Sequence, residues 1–92
     1  MKKSIVISDM DWCYRCGRPR ECIHHIYYGT ANRKISDKHG FILPLCNEHH
    51  TGKDGIHFDR DFDLLVKRTC QRRYEETHSR EDFIKLIGRS YL

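Results

Sequence analysis

Ninety-two residues suffice for one small domain, which buries a smaller share of its surface than a larger one and gains from a metal staple. With 38% hydrophobic and 33% charged residues, the composition excludes a disordered chain, and no apolar run is long enough for a membrane span. The 17 Lys and Arg against 13 Asp and Glu leave +4, which favours polyanions without resembling a histone-like chain.

The opening MKKSIVISDMDW is basic like a signal peptide, but its apolar stretch is only Ile5, Val6 and Ile7 before Asp9 and Asp11. A cytoplasmic protein is expected. Residues 4 to 8 carry a short β-branched run that predicts a strand or an ordered arm. In CYRCGRPR, residues 13 to 20, two cysteines bracket a tight turn, Gly17 permits positive φ and Pro19 stops any helix, so a metal knuckle is expected.

Residues 22 to 28, with Ile23, Ile26, Tyr27 and Tyr28, favour a strand, and residues 41 to 45 form a second apolar run. They should pair as a hairpin. Between them GTANRKISDKHG, bounded by Gly29 and Gly40, predicts a polar, basic connection of the length at which loops often carry function. Pro44 cannot donate a ladder hydrogen bond, so the second strand should lie at an edge or end there. CNEHHTG then predicts about one helical turn closed by Gly52.

Asp59 is a candidate cap for the longest helix, in which Phe62, Leu65, Val66, Thr69, Cys70 and Tyr74 recur at helical spacing. Lys67, Arg68, Arg72 and Arg73 would form its solvated face. Ser79 caps a second, shorter helix through Phe83, Ile84 and Ile87, ended by Gly88. The expected architecture is a single α+β domain, residues 1–92, with a knuckle and hairpin core over 13–57 and a helical segment over 58–92.

Six of the seven histidines and four of the five cysteines lie between Cys13 and His57. In an unexported chain, C-x-x-C beside histidines reads as metal ligation and not as a disulfide framework. Cys13-x-x-Cys16, then 29 residues, then Cys46-x-x-His49 can close a tetrahedral shell around structural Zn²⁺. Cys22 and Cys70 sit in apolar patterns and read as core, with Cys22 able to replace one of the four ligands.

Those assignments leave His24, His25, His50 and His57 for a second metal. On an ideal strand His24 and His25 point to opposite faces, so one would ligate while the other approaches the substrate from elsewhere. Phosphodiester hydrolysis has a use for that division: an imidazole such as His25 takes a proton from water. A cation held by His24, His50 and His57 stabilises the phosphate. Arg15, Arg18 and Arg20 at the knuckle, and Arg33, Lys34 and Lys38 in the connection, are the candidate DNA phosphate contacts; solvated surface charge explains any single one about equally well. Tyr27 and Tyr28 could stack on bases, although hairpin packing explains them better.

C-x-x-C, HHI, an apolar strand running into LCNEHH, and then GIH together resemble the zinc-stapled HNH endonucleases, the ββα-metal or His-Me finger family. The pattern is most similar to small phage-encoded HNH proteins and more distantly to the recombination enhancement function (Ref) nucleases. The likeness covers Cys13 to His57. It implies that His25 is the general base, that His24 and His50 hold a catalytic divalent metal (Mg²⁺, Mn²⁺, Ni²⁺ or Zn²⁺), and that His57 is the further histidine. It also implies that Cys13, Cys16, Cys46 and His49 hold zinc, with DNA as partner and phage or recombination proteins as context.

The chain departs from the family where a middle Asn would open the second strand, since His39 and Gly40 stand there. Asn32 and Asn47 are the candidate substitutes, Asn47 being equally explained as a helix cap. That gap keeps a second reading open, a zinc-stabilised nucleic-acid-binding module without catalysis. A third, a protein-binding adaptor, rests on the C-terminal helices alone.

Overall fold

The computed structural model describes residues 3–92; Met1 and Lys2, half of the basic opening, lie outside the described residues. Among the described residues the chain is α+β, with one two-stranded antiparallel sheet and four helices. None of these helices is long and apolar enough to cross a membrane.

Strand β1 is Cys22–His25 and strand β2 is Ile42–Leu45, paired in the register Cys22 to Leu45 and His25 to Ile42. Pro44 lies inside β2 opposite Ile23, and its carbonyl accepts from the Tyr14 N–H of the knuckle at 2.8 Å. Strand β1 is shorter than its apolar run suggests. Beyond His25 the Ile26 N–H still donates to the Phe41 carbonyl at 2.9 Å, but Tyr27 turns into the core and bonds a side chain instead of the ladder.

The polar connection expected over residues 29 to 40 is a helix, α1, Thr30–His39. Its start has no side-chain cap and no acidic residue in the first turn, so tertiary bonds must hold it. The fully buried Ser36 hydroxyl donates to the Tyr27 carbonyl at 2.6 Å and accepts from the Tyr27 N–H at 3.2 Å. Asn32 donates to the Ile87 carbonyl at 3.1 Å. Gly40 closes the helix at φ 77°, and a Cβ there would stand 2.6 Å from the Lys3 backbone oxygen.

The segment at residues 4 to 8 forms no strand. It is an arm, with the Ile5 N–H bonded to the Gly40 carbonyl at 3.0 Å and Ile5 and Val6 packed on the core. Helix α2, Asn47–His50, is the single turn expected; its N-cap is Cys46, and Asn47 inside it bonds Glu21 through its backbone N–H and its amide.

Helix α3, Arg60–Tyr74, is capped by Asp59, whose carboxylate accepts from the Phe62 N–H at 3.0 Å. Helix α4, Arg80–Ile87, starts with a reciprocal box between Ser79 and Asp82 and ends at left-handed Gly88. Tyr27, Phe41, Tyr74 and Phe83 meet edge to face or tilted at 5.3 to 6.3 Å, joining hairpin to helices. Cys70 lies fully buried in this core. One expected surface residue is buried: Lys67 is 7% exposed, bonds Asp63 at 2.8 Å and lies 4.2 Å over the Tyr28 ring. Its stem covers aromatic surface while its charge is neutralised within one helical turn.

Candidate functional site

Two clusters of ligand atoms share α2, one through His49 and the other through His50. In the first, the knuckle is shaped by the Gly17 N–H bonded to the Cys13 carbonyl and the Cys13 N–H bonded to the Arg18 carbonyl. This turn brings Cys13 and Cys16 to Cys46 and His49, and the four ligand atoms lie within 4.8 Å of one another. Cys16 Sγ is 3.7 Å from Cys46 Sγ, and His49 Nδ1 is 3.3 Å from Cys46 Sγ and 3.9 Å from Cys13 Sγ. A tetrahedron with thiolates about 2.3 Å from its centre has edges of about 3.8 Å, so the donor set fits zinc in spacing as well as type.

Electrostatics prepare this cluster unevenly. Burial raises the Cys13 thiol, but the backbone N–H groups of Cys46, Cys16 and Arg15 together outweigh it and bring the pKa down to about 6. Burial pushes the Cys46 thiol up. Cys22 is no ligand here: its Sγ donates to the Leu45 carbonyl at 3.2 Å, and burial with the neighbouring Cys46 and Cys13 raises its pKa.

The second cluster is His24, His50 and His57, with one ring nitrogen from each inside the same 4.8 Å limit. His24 comes from β1, His50 from the end of α2, and His57 from the turn that follows. That turn must double back: the Ile56 N–H bonds the His49 carbonyl at 2.8 Å, and a Cβ on Gly55 would meet the His50 backbone oxygen at 2.5 Å. Only glycine allows this approach. His50 Nε2 and His57 Nε2 then face each other at 3.2 Å, and the His24 ring lies 5.3 and 5.1 Å from theirs.

His24 supplies the test of fit. It is 2% exposed, and its Nε2 is buried with no hydrogen-bond partner. Burial first, then the His50 and His57 rings, push its pKa down to about 3, while burial and His57 lower that of His50. A neutral imidazole with an unspent lone pair among two other imidazoles is a donor set for a borderline divalent metal.

The cleft over this triad is lined by Ile23, His24, His25, Tyr28, Arg33, His50 and His57. His25 and Arg33 also line a second cleft with Thr30, Lys34 and Asp37. Of the six basic residues expected to meet phosphate, Arg33 therefore faces both clefts and Lys34 one. Lys38 is exposed on α1 outside both, and Arg18 and Arg20 are exposed at the knuckle. Arg15 is committed to the fold, stacked 4.3 Å over Phe62 and 3.9 Å from Asp59.

The sequence carries no signal for Asp37, favours hairpin packing for Tyr28 and a solvated face for Lys67, and the structure places all three in or beside the site. Asp37 Oδ1 lies 3.3 Å from His25 Nε2. Tyr28, 46% exposed, tilts against His24 and His57 at 6.1 and 5.8 Å, unlike the core residue Tyr27. Lys67 stands behind Tyr28, and although burial opposes it, the Asp63 carboxylate keeps its pKa raised. No family model matches the chain, and no curated protein or solved structure matches it either.

Proposed function

We propose that the protein is a metal-dependent endonuclease of HNH type that hydrolyses DNA phosphodiester bonds. The observation that carries the reading is the open triad of His24, His50 and His57 beside a fourth histidine and an arginine in one cleft. The closed Cys13, Cys16, Cys46 and His49 cluster supports a structural zinc, leaving the triad free for chemistry. The proximity of His24 and His25 on β1 to α2 is in keeping with a ββα-metal core.

A divalent metal held by the triad, when bound, supplies Lewis-acid stabilisation of the phosphate and the leaving oxygen. His25 accepts the proton of the attacking water, and the Arg33 guanidinium balances the charge that develops on the phosphate. Lys34, from the second cleft, continues the cationic wall along which a polyanion would run. The net +4 charge accords with such a partner. A phage or recombination setting follows from the resemblance of the motifs alone.

Incubation of metal-loaded protein with single- and double-stranded DNA tests this. Cleavage is expected with at least one of Mg²⁺, Mn²⁺, Ni²⁺ or Zn²⁺, and His25→Ala should lower its rate by about 100-fold or more, the usual contribution of a general base. Absence of cleavage with all four, or an undiminished rate in His25→Ala, refutes the reading.

One observation favours the binding-module alternative. The two candidate substitutes for the middle Asn are engaged elsewhere, Asn32 with the Ile87 carbonyl and Asn47 with Glu21. Salt-sensitive DNA binding without nicking, at one metal per chain, would establish that alternative.

A further inference from the structure

Resting on the reading of His25 as the base, we infer that Asp37 is its positioning residue: the carboxylate accepts the His25 Nε2–H, fixing ring orientation and tautomer and leaving Nδ1 as the lone-pair nitrogen. The motif resemblance assigns no role to this position, which lies in a segment whose sequence reads as loop.

The placement follows from bonds one residue away. Ser36 is fully buried and clamps both backbone polar groups of Tyr27, two residues after His25. Its own carbonyl accepts from the Phe41 N–H at 2.9 Å, and the Phe41 carbonyl accepts from the Ile26 N–H at 2.9 Å. Helix α1 is thereby tied to the chain on either side of the strand pair, and Asp37 cannot slide along β1. Its Oδ1 lies 3.3 Å from His25 Nε2.

Stability alone is a poor reason for this pair. The Asp37 side chain is 38% exposed and that of His25 18%, and half-exposed ion pairs contribute little to folding. A hydrogen bond to one ring nitrogen does decide which nitrogen carries the proton, because a neutral imidazole has one donor and one acceptor. Carboxylate partners fix histidine rings in this way around metal centres, and losing them costs about 10- to 100-fold in function.

Asp37→Asn separates this role from a structural one. The amide is nearly isosteric, yet it can donate to Nε2 and so favour the opposite tautomer. Long-range proton–nitrogen NMR of zinc-loaded protein at mildly alkaline pH reads the tautomer of the neutral ring, with the His25 signals assigned through His25→Gln. Wild type should show the Nε2–H form, and Asp37→Asn should lose that preference. Equal Nε2–H populations in the two proteins would overturn the inference, as would a wild-type ring without a preferred tautomer. Where cleavage is measurable, kcat should fall by about 10-fold or more with KM little changed. A wild type that does not cleave refutes the nuclease reading while the tautomer measurement still decides on Asp37.

Discussion

Replacing His24 by Phe should make the protein more stable when metal is scarce and less stable when it is abundant. The ring is 2% exposed and its Nε2 has no hydrogen-bond partner, and such a buried unsatisfied group costs about 1–3 kcal/mol. Phe keeps a ring in the space and removes that cost. Protonation adds a second component. The His24 pKa falls from 6.5 to about 3 on folding, so as pH drops the unfolded chain takes up the proton first. Stability is therefore intact above the unfolded value and is lost progressively between 6.5 and about 3. Between about pH 7.5 and about pH 5.5 the loss amounts to about 1 kcal/mol, and the Phe variant escapes it.

Urea unfolding at both pH values, with one zinc equivalent to fill the cysteine site, measures both components. That site is common to both proteins and cancels in the comparison. Excess divalent metal should then reverse the order, since binding at about a thousand times Kd adds about 4.1 kcal/mol to wild type alone. A His24→Phe protein that is less stable under low metal at both pH values, with an unchanged pH dependence, would refute the account of His24 as a neutral, unspent donor.

Elemental analysis should find two metals per wild-type chain and one in His50→Ala, whereas His49→Ala should lose the zinc and with it the circular dichroism of the folded chain. Two metals in His50→Ala would show that the triad is not a site. Gly40→Ala must place a side chain at φ 77° and 2.6 Å from the Lys3 oxygen, and should cost about 2 kcal/mol or more in denaturant unfolding. A change within about 0.5 kcal/mol would refute both the left-handed strain at Gly40 and the clash with the Lys3 oxygen.

What the sequence announced were the features encoded within a few residues. Asp59 and Ser79 cap α3 and α4 as their positions suggest, because a cap acts on an N–H three residues ahead. The C-x-x-C and C-x-x-H pairs could be read for the same reason, since each pair occupies one turn. Helix α1 could not. Its only apolar residues are Ala31 and Ile35, it has neither a capping side chain nor an acidic first turn, and it is held by Ser36 and Asn32 through partners 9 and 55 residues away. Asp37 was hidden with it. Lys67 escapes sequence reading because a charge at helical spacing looks solvated, whereas it lies over the ring of Tyr28, from the segment between β1 and α1.

Helix α2 is four residues long, too short to persist alone, and it offers His49 to one cluster and His50 to the other. Adjacent residues on a common turn cannot be ordered independently, so ions held at the two clusters would be ligands of one folding unit. Thermodynamic reciprocity then applies: if zinc among the cysteines raises the affinity of the imidazole site, occupancy of the imidazole site raises zinc affinity by the same factor. A substitution at either histidine should therefore be felt as a change in affinity at the ion it does not touch.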